Sequence, residues 1–226
     1  MTAPAKTIAT AVYRTIREDI LRGSLAPGAK LRVDEVCARY EASGSPVREA
    51  LTRLASEGLV TRHDQRGFFV APATLEELRE LVKTRCWLES LALRESIANA
   101  TQAWEEGIVL AGHRLSTTKR SLSEGSYAVN PRWEELHAAF HDSLIANCGS
   151  GMLRQFCVDL RERADRYRQL AAASAYPKRN EGGEHAEIQA ATLARDAGRA
   201  SDLLERHYRR TLELVEAAGL PLAKAS

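Results

Sequence analysis

The first segment of the chain carries apolar residues at intervals of four, a spacing that places them along one stripe of an amphipathic helix. These residues are Ile8, Val12, Ile16 and Ile20. Gly23 follows as a helix stop, and Pro27 and Gly28 predict a turn. The stretch VDEVCARY after this turn predicts a second, shorter helix.

A third helix is predicted within the stretch SGSPVREALTRLASEGLV, residues 43–60. Its inward positions recur at i, i+3, i+4 and i+7 and are occupied by Val47, Ala50, Leu51 and Leu54. We expect Ser45 to be the N-cap and Pro46 to take the first helical position, where its missing N–H costs nothing. Gly58 is expected to end the helix.

Two short β-prone runs, LVTRH and FFVAP, follow this helix and are separated by DQRG. They predict a hairpin in which Gly67 takes the turn conformation. Three helices and a hairpin within residues 1–73 describe a winged helix-turn-helix domain. The alternative is an incidental small helical domain without a nucleic-acid partner.

From residue 74 onward, the sequence has an almost continuous helical pattern of apolar residues and no pattern typical of strands. Helices are predicted from residue 74 and around 101–122, 132–147, 150–174, 183–197 and 199–217. The fold class is therefore mainly α, with a winged helix-turn-helix over 1–73, an all-α helical bundle over 74–218 and a tail over 219–226.

The composition is that of a soluble protein with a core, since 44% of the 226 residues are hydrophobic and 27% are charged. No apolar run approaches the ~20 residues that cross a bilayer, and the N-terminus lacks a secretory signal, so we expect a cytoplasmic protein without a membrane partner. The four cysteines form no CxxC pair, which argues against a zinc ribbon and favours reduced, mostly buried thiols.

The net charge of +2 is too small to mark the whole chain as a binder of polyanions. Residues 1–73 hold 11 Lys and Arg against 8 Asp and Glu, whereas the remainder holds 21 against 22. This weak excess of positive charge favours the N-terminal part as the one that contacts a polyanion.

The third helix has the chemistry that the DNA major groove requires at a helix N-terminus. Short polar side chains and an arginine one turn in can meet phosphates and base edges, and Ser43, Ser45 and Arg48 supply them. Backbone N–H groups at the helix start add a phosphate site. Arg66 and Gly67, at the hairpin tip, are placed to approach a neighbouring phosphate or the minor groove.

The alternative interpretation is that these polar residues form the solvent-exposed side of an ordinary helix without a DNA partner. It is stronger for Arg53, because Glu49 lies four residues earlier and an exposed ion pair explains this arginine without DNA.

The runs PGAKL, SPVREALTRLASEGLV and RGFFV resemble the GntR family of bacterial transcription regulators. The resemblance implies a winged helix-turn-helix that binds double-stranded operator DNA, with Ser43, Ser45 and Arg48 at DNA-contacting positions. Many relatives carry an arginine between the two small hydroxyl residues before the proline, where this chain has Gly44. One expected base contact is therefore missing. A single recognition helix covers few base pairs, so we expect a homodimer on a near-palindromic site.

Four of the histidines in the helical part of the chain are candidate metal ligands. His137 and His141 are one turn apart and share a helix face with Phe140 and Leu144. His185 and His207 lie beside apolar residues on later helices. Each alone is more often a hydrogen-bonded core histidine, but the set favours a divalent metal site, with Zn²⁺ or Ni²⁺ as the ion.

The stretches FHDSLIANCGS, EHAEIQAATLARD and LLERH resemble the FCD ligand-binding domain of the FadR branch of GntR regulators. The resemblance implies a metal held by His137, His141, His185 and His207, with His137 in place of the usual aspartate or asparagine. The residues around CGS, CVDLRERADRYR and RRTLELV further resemble the subgroup that includes the regulator CsiR.

Arginines of the helical part are candidates for binding an acid. Arg85 matches an arginine that supports carboxylate effectors in many FCD domains, and its alternative is a surface or intramolecular ion pair. Four further arginines crowd one helix and are expected to be mostly solvated: Arg161, Arg163, Arg166 and Arg168.

These residues together predict a transcription regulator, in most such families a repressor, whose operator binding responds to a small organic acid bound near the metal. One alternative is a regulator that responds to the metal itself. Another is a metallohydrolase, since metal-bound water can be activated. No HExxH motif is present, so we expect no enzyme.

Overall fold

The computed structural model describes residues 8–124, 126–176 and 179–219 of the chain. These residues separate into two compact units, with the division between Leu75 and Glu76. The predicted tail, 219–226, lies outside the described residues from position 220 onward.

The first unit contains three helices and a small antiparallel sheet. Its elements are α1 (Ile8–Leu21), β1 (Lys30–Leu31), α2 (Val33–Arg39), α3 (Gly44–Ser56), β2 (Val60–His63) and β3 (Gly67–Val70). The strands run in the order β1-β3-β2, with His63 opposite Gly67 and Leu31 opposite Phe68. The predicted winged helix-turn-helix is confirmed, with one additional strand. Two residues are too few to show an alternating pattern, so β1 left no signal in the sequence.

The core of this unit is built from the apolar faces of α1 and α3. The predicted inward residues of α3 are all buried, and Val47, Leu51 and Leu54 are completely so. On α1 the four-residue stripe is only partly correct, because Ile8 is 67% exposed whereas Tyr13 is buried. A spacing of four exceeds the 3.6 residues of a helical turn, so such a stripe rotates around the helix and leaves the core at one end.

The beginning of α3 differs from the prediction, because the helix starts at Gly44 and its N-cap is Ser43 instead of Ser45. Ser43 has extended backbone angles, and its carbonyl accepts a hydrogen bond from the Val47 N–H at 3.3 Å. Pro46 therefore occupies the third helical position. This is allowed because the first N–H groups of a helix have no partner within it.

The second unit is an all-α bundle, as predicted. Its helices are α4 (Leu75–Ala98), α5 (Gln102–Ser116), α6 (Pro131–Leu144), α7 (Gly151–Ala175), α8 (Glu181–Leu193) and α9 (Ala197–Ala217). Five of them begin with a side-chain cap, in which the capping oxygen accepts a backbone N–H near the helix start. The capping residues are Thr101, Asn130, Ser150, Asn180 and Asp196.

Helix α5 ends at Ser116, several residues before the predicted end near 122. The hydroxyls of Thr117 and Thr118 donate to the carbonyls of His113 and Arg114, each at 2.8 Å. Such hydroxyls compete for helical carbonyls, which favours a helix end at this point. An isolated bridge between Ser121 and Val129 then leads towards α6.

The arginines of α7 contradict the expectation that most of them are solvated. Arg161, Arg166 and Arg168 are buried, whereas the side chain of Arg163 is 41% exposed. Burial is possible because the charges are paired. Arg161 donates to the Ala138 carbonyl at 2.7 Å and to Asp142 at 2.9 Å, and Arg168 pairs with Glu134 and Asp165.

The cysteines agree with the expectation from the sequence. The four cysteines are free thiols, and three of them, Cys86, Cys148 and Cys157, are buried. Among the helices of the described residues, none combines the length and the apolarity needed to cross a membrane.

Candidate DNA interface and metal centre

The N-terminal end of α3 presents its polar side chains to solvent. Ser43, Ser45 and Arg48 are all exposed. The Arg48 guanidinium makes no hydrogen bond or ion pair with another described residue, and the Thr52 hydroxyl donates to the Arg48 backbone carbonyl at 2.8 Å. Arg48 is therefore available to a partner that approaches this face.

The hairpin tip also matches the expected placement. Asp64, Gln65 and Arg66 form the exposed connection between β2 and β3. Gln65 and Gly67 both have positive φ angles, 61° and 90°. Glycine adopts this conformation without the steric penalty of a Cβ atom, which explains its use at the start of β3.

Arg53 serves the domain itself, although not through the predicted partner. Its Nε lies 3.4 Å from the Glu57 carboxylate, and its guanidinium lies 3.9 Å from the centroid of the Tyr13 ring. The Tyr13 hydroxyl donates to the same carboxylate at 2.7 Å. Glu57 is preferred over Glu49 because Tyr13 of α1 positions the carboxylate and offers a ring face for cation–π contact.

Gly44 is not required by packing. A Cβ atom added at this position meets no heavy atom of the described residues within 4 Å, and the backbone does not have a positive φ angle. The position therefore faces open space at the front of α3, where a longer side chain can be accommodated.

The four predicted histidine ligands converge in the second unit. Helix α6 supplies His137 and His141, α8 supplies His185, and α9 supplies His207. One potential ligand atom from each ring lies within 4.8 Å of the others, and all four residues are buried. Residues up to 70 positions apart in the chain therefore meet at one point in the bundle.

Several ring nitrogens in this cluster lack the partners that buried polar atoms normally have. Both nitrogens of His137 and the Nε2 atoms of His141 and His185 are buried without a hydrogen bond to any described residue. Neutral imidazole nitrogens that converge and lack partners fit a Zn²⁺ or Ni²⁺ ion.

The electrostatic environment keeps the imidazoles in the neutral form that binds metals. Burial lowers the pKa of all four histidines, and neighbouring arginines lower it further. Neighbouring imidazole rings also lower the pKa of His137, His141 and His207, whereas Glu184 raises that of His185. The pKa of His185 falls to about 3. At neutral pH the lone pairs are therefore free for coordination.

The orientation of His207 is set by Glu184. The Glu184 carboxylate lies 2.7 Å from Nδ1 of His207. An ionised carboxylate can only accept, so Nδ1 carries the proton and Nε2 is left for a metal. Arg179 holds Glu184 in place at 2.6 Å and also donates to the His207 carbonyl at 2.9 Å.

The orientation of His141 is set by a second chain of contacts. The Tyr208 hydroxyl donates to Glu89 and lies 3.3 Å from Nδ1 of His141. Because the hydroxyl proton is used by Glu89, the His141 nitrogen is the donor in that contact, and its Nε2 points to the cluster. The Arg85 Nε donates to Glu89 at 2.6 Å, and the Arg85 guanidinium lies 3.9 Å from the centroid of the Tyr208 ring.

Arg85 thus lies near the histidine cluster, within the intramolecular ion pair considered as its alternative. It is buried and borders a cavity of only about 20 Å³, together with His137, His141 and His207. That volume is comparable to the space occupied by a single water molecule.

His137 is held by stacking instead of hydrogen bonds. Its ring lies 4.8 Å from that of Trp133 at an interplanar angle of 16°. The guanidinium groups of Arg120 and Arg168 lie 5.2 Å and 5.6 Å from the centroid of the same Trp133 ring.

The residues that hydrogen-bond to the histidine rings and orient them were not predicted from the sequence. Glu184 precedes His185 and Tyr208 follows His207, but neither supports the adjacent histidine: each positions a ring from another helix. The two carboxylates, Glu89 and Glu184, are both engaged, so neither is free to act as the general base that a metallohydrolase needs.

Comparison with known families finds two matches on the chain. Residues 8–70 match the family described as bacterial regulatory proteins, gntR family, and residues 80–210 match the FCD domain.

Individual relatives match over nearly the whole length. The chain is 37% identical to the HTH-type transcriptional regulator BphR of Paraburkholderia xenovorans, over 96% of this chain and 89% of that one. It is 33% identical to the HTH-type transcriptional repressor GlaR of Escherichia coli, over 91% and 94%. The solved structure of McbR/YncC from E. coli has the same fold, with a TM-score of 0.76 at 18% identity over 93% of this chain and 98% of that one.

Proposed function

Since the chain belongs to the gntR family of bacterial regulatory proteins and carries an FCD domain, it is a DNA-binding transcription regulator and not an enzyme. We propose that a small organic acid, bound near a divalent metal in the FCD domain, controls its affinity for operator DNA. The convergence of four buried histidines carries this proposal.

The metal of this proposal is Zn²⁺, with Ni²⁺ as the alternative, held by His137, His141, His185 and His207. The donor set fits either ion because all four imidazoles are neutral and convergent. An ion of this kind supplies a position at which a carboxylate oxygen can bind when its coordination exceeds four. The protein supplies the orientation of the rings through Glu184 and Tyr208.

The DNA-contacting residues of this proposal are Ser43, Ser45 and Arg48 on α3, with Arg66 and Gly67 at the wing. The exposure of these α3 side chains supports the assignment, and so does the Arg48 guanidinium, which has no hydrogen-bond or ion-pair partner among the described residues. One recognition helix covers few base pairs, so the active form is a homodimer on two half-sites.

The direction of control proposed here is repression, because the relative GlaR is named a repressor. An acid can change operator affinity only if it binds one conformational state of the protein more tightly than the other.

The direct test uses the metal-loaded protein and DNA fragments from upstream of its own gene. We expect about one divalent ion per chain by elemental analysis, and His185→Ala combined with His207→Ala should remove it. Operator affinity, measured by fluorescence anisotropy, should change when a panel of small organic acids is added to the metal-loaded protein. Full metal occupancy in the double variant would show that the ligands were wrongly assigned.

A regulator that responds to the metal alone is the second candidate. Four imidazoles can complete a tetrahedral Zn²⁺ site without an outside ligand, and this favours it. Titration of operator binding with Zn²⁺ in the absence of any acid separates the two candidates. A switch driven by Zn²⁺ alone, with no further effect of any acid, would replace the acid sensor by a metal sensor.

A further inference from the structure

A second cavity of the FCD domain reaches the histidine cluster at His185. It has a volume of about 340 Å³ and opens to solvent. Its wall includes Arg120, Trp133, Arg179, Glu181, His185 and Gln189. His185 is thus both a member of the histidine cluster and part of this wall.

The volumes of the two cavities decide where an acid can bind. Small-molecule pockets in proteins are typically about 300 Å³ or larger. The cavity at His185 reaches this range, whereas the one at Arg85, about 20 Å³, has room for about a single water molecule. One donor of Arg85 is also occupied, since its Nε is bonded to Glu89.

The lining of the larger cavity contains two guanidinium groups and one carboxylate. Arg120 and Arg179 flank the single carboxylate of Glu181 and form ion pairs with it. The Nε of Arg120 is buried and has no hydrogen-bond partner among the described residues. Burial lowers the pKa of this guanidinium, whereas Glu181 raises it. Two guanidinium groups in the lining, against one carboxylate, are suited to a carboxylate ligand.

The remaining wall is apolar and aromatic. Trp133 and Leu115 line the cavity, and the Arg120 guanidinium lies 5.2 Å from the centroid of the Trp133 ring. The other neighbour of that indole is His137, at 4.8 Å. A ligand in the cavity would therefore touch the histidine cluster directly at His185 and indirectly, through Trp133, at His137.

We infer that the cavity framed by Arg120, Arg179 and Trp133 is the effector site, and that it takes a small carboxylate with an apolar body. The carboxylate accepts from Arg120 while Arg179 contributes charge, because the Arg179 donors are already bonded to Glu184, Thr211 and the His207 carbonyl. The apolar body lies along Trp133. This inference rests on the proposed function, and it replaces Arg85 as the residue that contacts the acid.

The test measures binding of acetate, butanoate, hexanoate and benzoate to the full-length, metal-loaded protein by isothermal titration calorimetry, with hexanol as the uncharged control. We expect hexanoate or benzoate to bind more tightly than acetate, and hexanol weakly. Arg120→Gln should weaken acid binding about ten- to a hundred-fold, since a hydrogen bond to a charged group is lost. Lys119→Gln is the matched control: this neighbouring lysine is exposed and pairs with Glu124, so affinity should stay within about three-fold.

Gly182→Leu is a second test of the site, and it remains informative if Arg120→Gln fails to fold. Gly182 lines the cavity, and an added Cβ meets no described atom within 4 Å, so the position accepts a larger side chain, which should reduce the space for a ligand. Acid binding should be lost while helix content and metal content stay unchanged.

The opposite pattern would overturn the inference: wild-type affinity in Arg120→Gln and Gly182→Leu, with loss of binding in Arg85→Gln. Failure of every acid in the series to bind the wild-type protein would overturn it as well. Acid binding that depends on Arg120 but leaves operator affinity unchanged would support the site and contradict the proposed function instead.

Discussion

At the scale of single residues, the histidine cluster depends on partners that hold each ring in one orientation. Glu184 fixes the protonated nitrogen of His207, and Tyr208, backed by Glu89, fixes that of His141. His137 has no such partner among the described residues and relies on the Trp133 ring. The four rings are therefore not equivalent, although the sequence presents them as one set.

Glu184→Gln should lower metal affinity about 10- to 100-fold, because the amide is a weaker acceptor for the His207 N–H than a carboxylate. The measurement is competition with a chromophoric chelator at neutral pH. Glu187→Gln, on the exposed side of the same helix, is the control and should leave affinity unchanged. Equal affinities of the two variants would mean that Glu184 does not position the ring.

Arg48→Ala should weaken specific operator binding by about 1–3 kcal/mol if this arginine reads a base, and should reduce binding to all sequences evenly if it contacts only phosphate. Anisotropy titrations with operator and scrambled DNA distinguish the two. Arg53→Ala is the comparison: it should lower the free energy of unfolding through loss of the Glu57 and Tyr13 contacts. Unaltered operator affinity of Arg48→Ala would remove this residue from the interface.

At the scale of elements, α3 combines an apolar face that is buried in the first unit with an N-terminal end that is exposed. Leu51 and Leu54 are completely buried, while Arg48 projects to solvent. The glycines at its two ends have different roles. Gly58 has a φ angle of 73°, whereas Gly44 has an ordinary helical backbone and open space at its Cβ position.

Gly58→Ala should therefore decrease the free energy of unfolding by about 1 kcal/mol, because an L-residue is strained at positive φ. Gly44→Ala should be neutral or slightly stabilising, since alanine favours the helix over glycine. Urea unfolding followed by circular dichroism gives both values. A destabilisation of Gly44→Ala as large as that of Gly58→Ala would contradict the assignment of Gly44 as a position free of packing.

At the scale of the whole molecule, the chain joins a DNA-binding unit to a bundle whose centre is polar and titratable. Three helices of that bundle, α6, α8 and α9, each bring buried imidazoles to one place. The integrity of the bundle is therefore tied to the protonation of these rings.

The metal-free protein should become less stable as the pH falls below about 6.5, the ordinary histidine pKa in the unfolded chain. Burial holds the folded pKa of the four histidines lower, so the unfolded state takes up protons first and the free energy of unfolding declines with pH. Urea unfolding with a chelator between about pH 7.5 and 5.5 measures this slope. His137→Phe should reduce the slope, whereas His113→Gln, on α5 and exposed, should not.

The sequence by itself determined the fold class, the outward end of α3 and the four histidines. These depend on local periods, such as the inward spacing of Val47, Leu51 and Leu54, and on the one-turn interval between His137 and His141. The sequence-based predictions were wrong where more than one nearby residue could play the same role. These cases are the N-cap of α3, the partner of Arg53 and the end of α5.

Only the tertiary structure decided which groups support the histidines and which cavity has room for a ligand. Glu89 and Tyr208 are 119 positions apart, and the wall of the larger cavity draws on residues from Gly112 to Gln189. Periodicity indicates which side of a helix faces inward, but it does not indicate what that side meets. The meeting of Arg120 with Trp133, or of Glu184 with His207, depends on how helices distant in the chain pack together.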